Sequence, residues 1–218
     1  LNYTQAVNEA LRQEMRRDPN TIIIGEDISG AGGRKHLGFG DGWVYATATA
    51  GLFDEFGEDR VIDTPIAEMA FVGAGVGGAM TGLRPIVTLG FIDLIGCCYD
   101  QIANQAAKMH YMMGGQVDMP LVIRMGYGSR GASGQTYGGG AAAQHSQTLY
   151  SILAHISGLK VVVPTTAYNA KGLLIAAIRD DGPVIVLDSK FLGAAARAHV
   201  PEEPYTVPIG KAEVVRSG

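Results

Sequence analysis

The segment Asp63-Thr-Pro-Ile-Ala-Glu68-Met-Ala-Phe71 sets one carboxylate, Glu68, at the head of an apolar, small-residue stretch. An acid leading into Phe71-Val-Gly-Ala-Gly-Val-Gly-Gly-Ala-Met-Thr-Gly-Leu83 is costly unless something satisfies it. A buried carboxyl without a counter-charge keeps its proton. A neutral carboxylic acid in an apolar pocket can donate a hydrogen bond to a heterocyclic nitrogen. His145 is the second candidate. It follows a Gly/Ser loop and is expected to open a helix in Ala141-Ala-Ala-Gln-His145-Ser-Gln. A loop exit at a helix N-terminus is a common place for a catalytic group, and the helix dipole there disfavours an imidazolium.

Other motifs carry less. Gly73-Ala-Gly75-Val-Gly-Gly78 fits the dinucleotide pattern G-x-G-x-x-G, but that site needs its first glycine directly after a strand. Here the preceding strand ends near Asp63, and the glycines fall inside a helix, where they favour close packing. Gly40-Asp41-Gly42 resembles the start of a thiamine diphosphate–magnesium motif, which needs an Asn some 25–30 residues on. No Asn occurs between Asn20 and Asn104, so Asp41 reads as a loop residue and no diphosphate site is expected on this chain. His36, His110, His145, His155 and His199 show no H-E-x-x-H spacing, and no G-x-S-x-G elbow accompanies Ser133 or Ser146. Adjacent Cys97 and Cys98 neither bridge readily nor complete a zinc site, and are expected as buried thiols of a reducing compartment.

The elements that must position these residues follow from apolar periodicity. Helices are expected at Tyr3–Arg17, Thr49–Phe56, Ile66–Leu83 (with Pro65 suited to its first turn), Cys98–Met113, His145–Ile156 and Ala167–Arg179. Strands are expected at Thr21–Ile24, Arg60–Asp63, Pro85–Thr88, Pro120–Arg124, Lys160–Val163 and Pro183–Leu187. Residues 29–46 and 126–140 read as long Gly-rich loops. Apolar strands alternating with helices predict a three-layer α/β/α domain with a mostly parallel sheet. The domain is expected over residues 1–195. Pro201, Pro204 and Pro208 mark 196–218 as a linker toward a further domain.

The 218 residues suffice for one sizeable core. A net charge of −4 with no Lys/Arg stripe argues against nucleic acid. No apolar run is long enough to span a membrane, and no signal peptide is read. The expected location is the cytoplasm, or a mitochondrial matrix in a eukaryote.

Several blocks in order resemble a known family. Gly25-Glu26-Asp27, Asp63–Phe71, Gly82-Leu-Arg-Pro85, Asp100–Lys108, Ala142–Gln147, Gly158–Val162, Asp180 and Pro183–Val186 are similar to the beta subunit of thiamine diphosphate-dependent 2-oxoacid dehydrogenases, which act on pyruvate, branched-chain 2-oxoacids or acetoin. Leu89-Gly-Phe91 and Met112-Met-Gly-Gly115 lean toward the acetoin and bacterial 2-oxoacid branch. The resemblance implies a transketolase-type pyrimidine-binding domain, followed by a transketolase-like one. It implies Glu68 as the acid at the pyrimidine N1′, with Ile66, Phe91 and Leu94 beside the ring. It implies Glu26 in an acid network joining two active sites, and His145 moving protons during catalysis and acyl transfer. Thiamine diphosphate is then the cofactor, its diphosphate and Mg²⁺ held by a partner alpha subunit. Further partners are a lipoyl-bearing acyltransferase and a second copy of the chain. No metal is expected on this chain, and the fragment alone is expected to be inactive. Leu94 departs from the aromatic frequent at that position, residues 29–46 exceed the usual length, and an Arg often found near Tyr45 is missing. Another thiamine enzyme's pyrimidine domain and a non-catalytic dimerisation module are the rival readings.

Overall fold

The computed structural model describes residues 1–29, 48–129, 142–193, 197–212, 214 and 216. The expected loop over 29–46, with Asp41 and His36, falls outside them except for Ser29, as does most of the Gly/Ser loop before His145.

Six strands form one sheet, all parallel: β1 (Thr21–Gly25), β2 (Val61–Asp63), β3 (Arg84–Phe91), β4 (Val122–Tyr127), β5 (Lys160–Val162) and β6 (Val184–Ser189), in the order β2-β1-β3-β4-β6-β5. Side chains alternate across each strand. Ile23, Ile86, Val122 and Val184 therefore enter one core. Ile24, Val87, Ile123 and Ile185 enter the other. This two-sided burial is why the strands read as unbroken apolar runs.

On the first face lie α1 (Tyr3–Arg17) and α6 (Ala167–Arg179). Asn2 and Gln5 make a reciprocal capping box that starts α1. The short α2 (Leu52–Phe56) packs at the rim of the same core. Residues 201–207 cross α6: Val207 N–H donates to the Gly172 carbonyl at 3.0 Å, and Tyr205 stacks on Tyr168 with centroids 4.5 Å apart. A side chain at Gly172 would meet Val207 Cγ2 at 2.5 Å and Tyr205 at 2.8 Å, so this approach requires glycine.

On the second face lie α3 (Glu68–Met80), α4 (Met109–Met112) and α5 (Tyr150–Ala154). The helix expected from Ile66 starts at Glu68 instead. Pro65 precedes it by three residues, and Ala67, in a non-helical conformation, ends the incoming segment. The glycines of the dinucleotide-like pattern lie inside α3, where a side chain on Gly75 would collide with Val87 Cγ2 and one on Gly78 would meet Pro85 at 3.3 Å.

The single helix expected over Cys98–Met113 is broken into two pieces. A π-helical turn spans Gln101–Ala106 and α4 follows, with a 3₁₀ stretch over Ile92–Cys97 ahead of both. Two contacts explain the break. Ala107 N–H reaches back five residues to the Ile102 carbonyl. The turn at Gly158 (φ +99°) presses against the backbone of Ala107, and Lys108 Nζ donates to the Ser157 carbonyl.

Candidate functional site

Strands that run the same way deliver their ends to one edge, and parallel α/β sheets bind ligands there, where successive connections diverge. Here they diverge at β1 and β3: β1 leads outward to edge strand β2, while β3 leads inward to β4. Glu26 follows the last residue of β1, and Phe91 is the last of β3. The two strands come close because Gly25 opposes Thr88, where any side chain on Gly25 would collide with the Thr88 carbonyl.

Asp63, at the end of β2, holds the segment after β1. Its Oδ1 accepts from the Ile28 amide at 3.3 Å and its Oδ2 from the Ser29 hydroxyl at 2.7 Å. Thr64 N–H donates to the Gly25 carbonyl at 2.9 Å. Glu26 and the Pro-Ile-Ala-Glu68 segment are thereby tied to one corner. Among the described residues, Glu26 Oε2 is buried without a hydrogen-bond partner. Burial first, then the charges of Glu68, Asp27 and Asp63, raise the Glu26 carboxyl above the ordinary range. Of the sequence candidates, Glu68 is thus one whose charge bears on Glu26.

Glu68 is the first residue of α3 and only 8% exposed. It lines an open cleft of about 530 Å³ with Ala67, Met69, Ala70, Gly73, Cys97 and Gln101. Met69 of that lining and Ile66, next to Ala67 in the chain, are 61% and 81% exposed. Leu94 lies in the 3₁₀ stretch after β3, half-buried against the second core. Cys97 corrects an expectation: it is exposed and faces this cleft. Cys98 is buried as expected, its thiol pushed up to about 12 by burial, then by Glu68 and Cys97.

His145 needs the second correction. It closes a 3₁₀ turn, Ala143–His145, and α5 starts only at Tyr150, so no α-helix N-terminus lies at the imidazole. The backbone here is claimed by other strand ends. Gln147 N–H donates to Asp93 Oδ1 at 3.0 Å, and Gly128 N–H donates to the Gln147 carbonyl at 2.9 Å. Ala142 takes a left-handed φ of +63°. The imidazole packs edge-on to Phe91, centroids 4.7 Å apart at 79°. Lys190, one residue past β6, donates to the His145 carbonyl, with Nζ 4.8 Å from the Phe91 ring centroid.

The structure therefore joins Phe91 with His145, and Glu26 with Glu68. Sequence reasoning missed Lys190, Asp93 and Asp63. Their usable signal is position: each sits at, or one or two residues beyond, a strand's carboxyl end. Among the described residues, no group of three or more His, Cys, Asp or Glu side chains is arranged to hold a metal. None of their helices is long and apolar enough to cross a membrane.

An all-parallel sheet with its acids and its histidine gathered at the carboxyl edge defines an α/β ligand-binding domain. Likeness to known proteins narrows the class. The chain belongs to the transketolase pyrimidine-binding domain family, whose model matches residues 1–194. Over its whole length it is 49% identical to the beta subunit of acetoin:2,6-dichlorophenolindophenol oxidoreductase from Cupriavidus necator and 45% to that from Bacillus subtilis. It is 39% identical over its whole length to the pyruvate dehydrogenase E1 component subunit beta of Bacillus subtilis. The chain spans 61% of each of these relatives. A split-gene transketolase, described as an inactive beta4 tetramer, shares the fold with a TM-score of 0.61 at 16% identity, over all of this chain and 56% of that one.

Proposed function

We propose that the chain is the pyrimidine-binding part of a beta subunit of a thiamine diphosphate-dependent 2-oxoacid dehydrogenase. The observation that carries this reading is Glu68: a buried acid at the head of a helix, opening on a cleft walled by small residues, with Glu26 coupled behind it. The fit is chemical. Ala67, Ala70 and Gly73 leave room for a flat heterocycle, and exposed Ile66 offers it an apolar surface. When bound, the cofactor would supply an electron sink for breaking the bond beside a carbonyl.

The chain's own residues would do the rest. Glu68 holds a proton at a ring nitrogen of the pyrimidine, beside Ile66, Phe91 and Leu94. Glu26 links that proton to a neighbouring site. His145, steadied by Phe91, moves a proton on the substrate side. A partner alpha subunit holds the diphosphate and its Mg²⁺, and a lipoyl-bearing acyltransferase accepts the product. Residues 1–195 form the domain, and 196–218 lead toward the remainder of the subunit. The chain alone turns over no substrate.

Acetoin is the second substrate reading. Identity is higher to the two acetoin oxidoreductase subunits, 45% and 49%, than to the pyruvate dehydrogenase subunit, 39%. Both readings meet one experiment. The full subunit is reconstituted with its alpha partner, thiamine diphosphate and Mg²⁺, then assayed on pyruvate, 2-oxoisovalerate and acetoin with a dye acceptor. Glu68→Gln is expected to lower kcat about 10²- to 10⁴-fold with assembly intact. Undiminished turnover in Glu68→Gln would refute the assignment, and the preferred substrate separates the two branches.

A further inference from the structure

We propose that Lys190 is a positioning residue that fixes the ring of His145, an inference that rests on His145 serving the proposed reaction. Two strand ends, those of β6 and β3, meet at this histidine. Lys190, just past β6, donates through Nζ to the His145 carbonyl. The same Nζ stands over the Phe91 ring, and Phe91, ending β3, meets the imidazole edge-on. Asp93 takes the amide of Gln147, two residues further on. Lys190 is itself anchored, since its own N–H donates to the Tyr127 carbonyl at the end of β4, at 3.2 Å.

A 3₁₀ turn of three residues has too few hydrogen bonds to orient a side chain by itself. Its last carbonyl is left for an outside donor. A lysine there supplies the donor with a full positive charge, and its body fixes the aromatic wall the imidazole rests on. One side chain thus sets both the backbone height of His145 and the surface its ring lies against. Removing the cation frees both at once. The histidine stays in place along the chain but loses its fixed direction.

The test has two arms. In the first, the chain is labelled with ¹³C at histidine Cε1, and His145→Ala assigns the His145 signal. Wild-type His145 is expected to show a ring-current-displaced shift and a cross-relaxation peak to the Phe91 ring. Lys190→Gln and Lys190→Met should move the shift toward that of free histidine and weaken the peak. Lys190→Arg should keep both. Circular dichroism checks that each variant folds. If Met disrupts folding, Gln decides.

In the second arm the reconstituted enzyme is assayed. Lys190→Gln should lower kcat about 10- to 100-fold with KM within twofold, Lys190→Arg should recover most of it, and Lys190→Gln should cost nothing further in a His145→Ala background. An unchanged His145 signal in Lys190→Gln would overturn the proposal, whatever the kinetics. So would a loss that adds to that of His145→Ala. If His145→Ala itself turns over normally, the catalytic reading of His145 fails, while the labelled-histidine arm still judges the positioning.

Discussion

The two helical layers of this sheet are built on opposite plans. On the α1–α6 side, polar groups are buried and closed off by the chain itself. Glu14, fully buried, is paired with Arg17 at 2.7 Å and Arg179 at 2.7 Å. Lys171, with 0% of its side chain exposed, donates to Glu9 at 2.5 Å, to the Pro201 carbonyl at 2.6 Å and to the Glu202 carbonyl at 3.0 Å. On the α3 side the outer surface is Met69, Ala70, Ala74 and Gly77, small or apolar and exposed. Glu68, the acid of greatest interest, sits on this open side. The contrast teaches that burial of charge alone does not mark a site. On the sealed face these buried ions have partners within the chain. On the open face a buried acid looks onto space.

Substitutions can break this contrast, beginning with the sealed face. Lys171→Ala should cost about 3 kcal/mol of stability in urea denaturation, because it strands Glu9 and two carbonyls at once. A loss below the error of the measurement would mean the seal holds nothing. Gly172→Ala should cost about 1–3 kcal/mol and free residues 201–207 to limited proteolysis, since its new methyl meets Val207 and Tyr205. Gly77→Ala on the open face should do the reverse. Nothing among the described residues lies within 4 Å of where the new methyl would stand, so helix propensity alone acts, and the isolated chain should gain about 0.5–1 kcal/mol. Destabilisation there would show that the face is covered after all.

The smallest effect concerns pH. Glu26 binds its proton more tightly in the folded chain than an ordinary glutamate, through burial and then through Glu68, Asp27 and Asp63. The folded state therefore carries more protons than the unfolded state over the window just above the ordinary glutamate range. The Glu26 contribution to stability is therefore lost as pH rises through that window. Glu26→Gln should flatten the decline, read as melting temperature across about pH 4 to 7. An unchanged slope would place the cause with other groups.

Much of this design is legible in the residue order, and the limits have physical reasons. Strands buried on both faces are continuous apolar runs, so all six are recognisable, and their alternation with helices implies a parallel sheet. Glu68 is legible because an acid heading an apolar stretch violates the local pattern. The break over Cys98–Met113 is not, because the turn at Gly158, some fifty residues on, presses on Ala107. The setting of His145 is hidden for the same reason: Asp93 and Lys190, which fix its segment, lie 54 residues before Gln147 and 45 after His145. Local periodicity predicts a helix there, and distant strand ends overrule it.

The uniform direction of the strands has an electrical consequence. The amino-edge rim is knit separately: Arg84 N–H donates to the Asn20 carbonyl at 2.8 Å, and Arg84 pairs with Asp181 at 2.5 Å. The length of β3, Arg84 to Phe91, separates that rim from the acids by roughly 23 Å at the usual rise per residue. In physiological salt the Debye length is about 8 Å. Reversing or adding surface charge around Asp181 would therefore go unfelt by Glu26 and Glu68. The amino rim is a place where solubility can be tuned, or a label attached, without retuning the proton affinities at the other end.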